Sequence, residues 1–222
     1  MKKLLILLFI TLTLLIQGCG SKTICVETDD VQNRGGTYYL VNQQKPFTGN
    51  NSCQYLSSGQ QHSKGKIKKG KKDGKWTYWS ENGAKSSEGK YKKGKKDGKW
   101  TEWYENGQKK LEGKFKNGKA DGKWTEWHLT GQKEKEGDFI NDRQEGIWTE
   151  WYWDGQKSYE ENYKNGNLVR YTGYSYYDNG QIKSEVNRNK YRQQDGKMTE
   201  WYENGQKKVE ANYKDGENDD KW

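Results

Sequence analysis

The residues Lys99–Tyr104 are rich in Trp, Thr and Tyr, side chains suited to a pleated, half-buried surface. Lys109–Phe115 alternates polar and apolar residues, the period-two pattern of a strand. Asn106-Gly107 lies between them, and that pair favours a two-residue type I′ turn because both positions accept positive φ. Lys116-Asn117-Gly118 and Asp121-Gly122 then carry turn chemistry into the next segment. The pattern predicts a β-hairpin. Counting outward from Asn106-Gly107 pairs Tyr104 with Lys109, Trp103 with Lys110, Thr101 with Glu112, and Trp100 with Gly113, whose missing side chain leaves the Trp100 indole room. One face then carries Trp100, Tyr104, Leu111 and Phe115. The other carries Trp103 among Lys110, Glu112 and Lys114. Glu102 falls on the aromatic face, a misfit that a bulge or a shifted pairing would relieve.

The same text recurs. Copies begin at Asp73, Asp97, Asp121, Glu145, Val169 and Asp195, spaced by 24 residues except for 26 in the copy starting at Val169. A worn copy fills Gly49–Lys72, and Asp219–Trp222 starts another. A fixed period of this size marks a repeat array in which each unit contacts its neighbours. The expected fold is all-β: an elongated, twisted antiparallel sheet of tandem 24-residue hairpins. Two strands per unit advance it on the order of 10 Å per repeat, or roughly 60–70 Å in all.

Gly113-Lys-Phe115-Lys-Asn-Gly118-Lys-Ala-Asp121-Gly122-Lys123, with Gly131 nine residues after Gly122, resembles a MORN repeat. The wording ENGQKKxEGxYKxGKxDGKWTEW is more similar to the bacterial MORN variant of the YwqK-like antitoxin group. The lead-in, Gly36-Thr-Tyr38-Tyr39 to Pro46-Phe47-Thr48-Gly49, resembles that group as well. The resemblance covers roughly three-quarters of the chain and recurs too often to be a chance match. It implies a sheet used for binding and, as an alternative function, neutralisation of a toxin by direct contact. It supplies no ligand.

At the start of the chain, Met1-Lys2-Lys3 is basic and Leu4–Ile16 is an uncharged apolar run too short to favour a spanning helix. Ile16-Gln17-Gly18-Cys19 resembles a bacterial lipobox. Residues 1–18 are therefore expected to be a signal peptide, with Cys19 lipidated and the array outside the cytoplasm on the cell membrane or outer membrane. Residues 19–35 read as a lipidated tether, 36–72 as lead-in strands with a degenerate first repeat, and 73–222 as the array. In an oxidising compartment Cys25 and Cys53 could join in a disulfide; in a reducing one they stay thiols.

Composition is near the disordered range, with 29% hydrophobic and 32% charged residues. The 11 Trp and 16 Tyr decide otherwise, because they sit at fixed places in each repeat. Lys64–Lys119 holds 19 lysines against 7 acids, whereas Ala120–Trp222 holds 16 basic residues against 21 acids. The basic end thus points toward the expected lipid anchor, and such residues attract anionic surfaces. His62 and His128 do not recur, and His128 takes the Tyr104 position, as a packing variant would. No Cys/His spacing suits zinc, no alternating oxygen ligands suit calcium, and no single carboxylate pair stands apart from the repeats. The expectation is a non-enzymatic binding or scaffold protein without cofactor or metal. Its partner would be a protein or an anionic envelope component, with nucleic acid disfavoured by export. The candidate surface is the row Trp79, Trp103, Trp127, Trp151 and Trp201 with Lys109 and Lys110. Ser86, Lys110, Glu134, Ser158 and Lys208 would sit opposite these rings, a variation that suits a protein partner better than a repeated pocket.

Overall fold

The structure, a computed structural model, describes residues 22–219. The expected signal peptide, the lipobox-like stretch with Cys19 and the last tryptophan lie outside them. Among the described residues there is no helix. One 17-stranded sheet holds Thr23–Ile24 and, in chain order, the strands from Gly49–Gln54 to Glu217–Asn218, which pair antiparallel; Lys119–Ala120 and Gly122–Trp127 share one place, both pairing with Lys109–Lys116. The strand Thr23–Ile24 adds one parallel pairing, onto Asn50 and Asn51. A separate hairpin is made by Val31–Arg34 and Thr37–Leu40.

The hairpin Lys95–Trp103 with Lys109–Lys116 shows how the sequence sets the register. Its loop is three residues, not two. Tyr104 N–H donates to the Gln108 carbonyl (2.8 Å), Gly107 N–H donates to the Tyr104 carbonyl (2.9 Å), and only Gly107, at φ +83°, is left-handed. This is a three-residue hairpin loop with its glycine in the left-handed position. The Asn106 carboxamide oxygen accepts the Gln108 N–H (3.0 Å), which holds Asn106 in the turn without positive φ. The type I′ turn occurs instead between repeats, at Asn117 (φ +54°) and Gly118 (φ +88°), where Lys116 pairs with Lys119.

The longer loop moves the pairing by one residue, so Trp103 faces Lys109 rather than Lys110. A bulge next to it then restores the expected register: Glu102 faces Leu111, Thr101 faces Glu112 and Trp100 faces Gly113. The bulge anticipated from Glu102 is present. Where Leu111 gives way to Lys135 and Tyr159, both meet Glu150: Lys135 at 3.5 Å, and Tyr159 through its hydroxyl.

Successive repeats lock through one aromatic face. Trp76, Tyr91, Trp100, Phe115, Trp124, Phe139 and Trp148 form an unbroken series of edge-to-face contacts, with ring centres 4.8–6.3 Å apart. Such pairs contribute about 0.5–1.5 kcal/mol each beyond area burial. Each indole N–H donates to a carbonyl ten residues earlier: Trp76 to Lys66, Trp100 to Lys90, Trp124 to Lys114 and Trp148 to Asp138, at 3.1–3.2 Å. Gly113 makes room for Trp124 of the following repeat, a correction to the expected Trp100, because a Cβ there would lie 2.4 Å from that indole. Gly65, Gly89 and Gly137 relate in the same way to Trp76, Trp100 and Trp148.

The expected tether is not a tether over its described part. Cys25 is bonded to Cys53, and Val26 N–H donates to the Asn51 side chain at 3.0 Å. Ile24, Val26, Tyr38 and Leu40 then pack with Phe47 on Ile67 and Trp76, which closes the first end of the aromatic face. At the other end Glu217–Asn218 pairs with Tyr213 and Lys214, so the charged tail covers part of that edge.

Gly113→Ala should cost about 1–3 kcal/mol in chemical denaturation, and the cost should shrink sharply in a Trp124→Ala background if the clash is its cause. Removing Asp97–Ala120 joins Lys96 to Asp121 and brings Trp124 over Gly89. This shorter array should still unfold cooperatively, whereas removing residues 97–108 should abolish the transition.

Candidate binding face

The face opposite the aromatic ladder carries the tryptophan row. Trp79, Trp103, Trp127, Trp151 and Trp201 are all half-buried. Their cross-strand partners are Lys85, Lys109, Lys133, Lys157 and Lys207. The expected variable set of Ser86, Lys110, Glu134, Ser158 and Lys208 is one residue off, because the three-residue loop was not legible from Asn-Gly alone. What borders the row is lysine every time. Lys109 therefore belongs to the surface. Lys110, at the bulge, has its Nζ near the Tyr104 ring instead (5.8 Å).

Lys85, Lys109 and Lys133 each work in two directions. Lys109 Nζ is 2.8 Å from Glu112 and 5.3 Å from the centre of the Trp127 ring in the next repeat. Lys85 bridges Glu88 (3.0 Å) to Trp103 (5.0 Å), and Lys133 bridges Glu136 (2.9 Å) to Trp151 (5.6 Å). A second lysine completes each group: Lys75 on Glu88, Lys99 on Glu112 and Lys123 on Glu136, at 2.7–3.0 Å. The same triple recurs as Lys197, Glu210 and Lys207. In the copy starting at Glu145, Ile147 replaces one lysine, and Glu160 is held by Lys157 at 2.6 Å and by the Tyr174 hydroxyl at 2.9 Å. Sequence reading did not find these triples, although the signal was present as Lys, then Lys ten residues on and Glu three further.

Burial works to raise the pKa of Glu88, Glu112, Glu136 and Glu160. Hydrogen bonds from the flanking lysines outweigh it and hold these carboxyls below their usual range. The glutamate on the other face behaves oppositely: burial and the nearby Glu134 push Glu126 upward.

The hairpin ends add backbone contacts. Tyr104 Oη donates to the Trp127 carbonyl (2.8 Å), as Tyr55 does to Trp79 and Tyr177 to Trp201. His128 Nε2 donates to the Trp151 carbonyl at 3.2 Å, so it replaces a tyrosine hydroxyl in a structural contact. The loop tips hold a second feature missed in the sequence. Where other copies have Glu81, Glu105 and Glu203, two successive tips carry Leu129 and Trp153, which are 59% and 74% exposed.

The sequence profile described as MORN repeat variant matches residues 72–93, 96–117, 120–141, 144–165, 172–190 and 194–215, together more than half of the chain. The chain belongs to the MORN repeat variant family. Each match spans the two strands of one hairpin, with the loop between them, in the array described above. The shortest match, 172–190, falls in the irregular copy. There Tyr171 takes the tryptophan position against Glu161, which stands where the earlier copies have Gly65, Gly89, Gly113 and Gly137. No curated protein matches the chain.

Stability should depend on acid in a defined direction. A carboxyl with a lowered folded pKa contributes stability above its unfolded pKa, near 4.3, and loses it as pH falls through the folded value. The melting temperature should hold from pH 7 to about 5 and drop below about pH 4. Glu88→Gln, Glu112→Gln and Glu136→Gln combined should flatten that acid limb and cost on the order of 1 kcal/mol or less per hairpin at neutral pH.

Proposed function

We propose that this MORN-variant chain is a non-enzymatic binding or scaffold protein, held to the bacterial cell envelope by a lipid on Cys19. The array presents its lysine–tryptophan face outside the cytoplasm to a protein or anionic envelope component. The observation that carries this reading is the tryptophan row itself. Five large rings stay half-buried on the face that does not form the ladder, each with a lysine across from it. Burying such a side chain fully is worth about 1.5–3 kcal/mol, so a row left partly open is a surface suited to being covered. The acids near it are engaged in repeated ion triples rather than set apart as an acid–base pair, which supports binding over catalysis. Leu4–Ile16 and Ile16-Gln17-Gly18-Cys19 support the anchor.

A second reading, neutralisation of a toxin by direct contact, draws on the exposed Leu129 and Trp153 at neighbouring tips. Each is a large apolar side chain left open to solvent, of the kind a protein partner covers.

Cys19→Ala should release the chain from the membrane fraction or leave it unprocessed; unchanged fractionation and processing would defeat the anchor. Trp103→Ser with Trp127→Ser should weaken capture of an envelope partner with the melting temperature held within a few degrees. Collapse of the fold in that variant would assign the row to the core. Loss of capture in Leu129→Glu with Trp153→Glu, and not in the tryptophan–serine pair, would favour the second reading.

A further inference from the structure

We infer that the lysine–tryptophan face binds a linear anionic polysaccharide, with one acidic sugar seated per repeat. The inference rests on the binding-surface reading above and names its ligand. Three observations lead to it: a surface that repeats by translation, positive charge turned outward, and a shallow hollow between neighbouring repeats.

The periodicity comes first. Lys75 and Lys85, Lys99 and Lys109, and Lys123 and Lys133 present the same pair of amines beside the same tryptophan in three successive hairpins. A protein surface seldom repeats at a fixed step, whereas a polymer does so by construction. The step is two strand spacings, on the order of 10 Å, which is the length of one disaccharide in an extended glycan.

The polarity comes second. The side chains of Glu88, Glu112 and Glu136 are 18–25% exposed, while their lysine partners are 42–64% exposed. The acids lie beneath and the amines face solvent. Each triple therefore offers a net positive charge to an incoming anion, within the segment that holds 19 lysines and 7 acids. Ile147, 59% exposed, replaces a lysine in the fourth tile, so the intact run ends after three.

The hollow comes third. Lys75, Lys90, Lys99, Trp103 and Lys109 line a space of about 420 Å³ that spans two neighbouring hairpins, with Glu88 and Glu112, each paired to two lysines, also in its wall. A second hollow of about 530 Å³, with Lys64, Lys66, Lys75 and Thr77 in its wall, continues the line toward the first repeat. Amines beside an indole suit a carboxylated sugar: the amines meet the acid and the indole meets the apolar ring edge.

Twist and ring coverage set aside two other polyanions. Adjacent strands rotate by roughly 20–25°, so successive tiles turn away from any flat plane. A membrane surface meets few of them at once, and a flexible chain can follow them. The indoles are half-buried, and Lys85, Lys109 and Lys133 each lie over one in the next repeat. They form walls rather than the open stacking platforms that single-stranded nucleic acid uses.

The test titrates the full-length chain in detergent with hyaluronan oligosaccharides, which carry one carboxylate per disaccharide, followed by calorimetry. Affinity should climb from two to six sugars, as three tiles engage in turn, and then flatten. Lys99→Gln, Lys109→Gln and Lys123→Gln together should weaken the six-sugar ligand by about tenfold or more, and added salt should weaken it further. Lys183→Gln with Lys190→Gln, whose amines lie by Tyr177 and Tyr191 outside the row, should leave affinity unchanged. Equal affinity for two and six sugars would overturn the inference without any variant. So would equal or tighter binding of poly-glutamate, oligo-dT or phosphatidylglycerol vesicles. A chain that fails these titrations yet captures an envelope protein through Trp103 and Trp127 would retain the binding-surface reading and lose this one.

Discussion

The contact on which the array depends is an indole lying on a glycine of the strand before it. Trp100 over Gly89 and Trp124 over Gly113 leave no space for a Cβ, and the indole N–H of each reaches back to a carbonyl of the previous strand. One side chain thus contributes apolar area, an edge-to-face ring contact and a satisfied donor to the same junction. Because the junction falls between repeats, it ties each hairpin to its neighbour rather than stabilising the hairpin alone, as a linear array requires. With aliphatic residues scarce, this row takes the place of a conventional core.

The exception supports that account. In the irregular copy Tyr171 replaces the tryptophan, and Glu161 stands where glycine would be. Its carboxylate accepts the Tyr163 hydroxyl (2.7 Å) and pairs with Arg192 (3.2 Å), whose guanidinium lies over Tyr171 at 4.1 Å. Glycine is dispensable where no indole follows it, and a buried acid is admitted only with its charge and hydrogen bonds met. The ring series starts at the lead-in cap and stops at this joint, so the most regular part of the array lies between two different devices.

Filling one face with rings leaves the other to charge. There the ion triples are individually weak, since exposed pairs contribute little. Their regularity matters more than their strength. A single bulge in each hairpin decides which lysine stands beside the tryptophan, and it selects Lys109 and its equivalents while turning Lys110 away. The surface changes from an irregular one to a periodic one by that one residue, and with it the kind of ligand it fits.

The 24-residue period, the hairpin and the division of aromatic from charged positions were all legible in the sequence, because they rest on local alternation and on spacing. Trp100 opposite Gly113 was legible too, since the loop and the bulge cancel beyond Glu102. The turn types were not. Asn-Gly stands at both ends of Lys109–Lys116, and only the hydrogen bond from the Gln108 N–H to the Asn106 side chain and the stacking of neighbouring repeats separate the two turns. For the same reason the true partners of the tryptophan row appeared one residue out. That Gly113 serves Trp124, and that residues 22–35 cap the ladder instead of forming a tether, depends on contacts between segments that carry no shared pattern. Local periodicity determined the unit; the packing of one unit on the next decided which residues meet, because that contact exists only once two hairpins lie side by side.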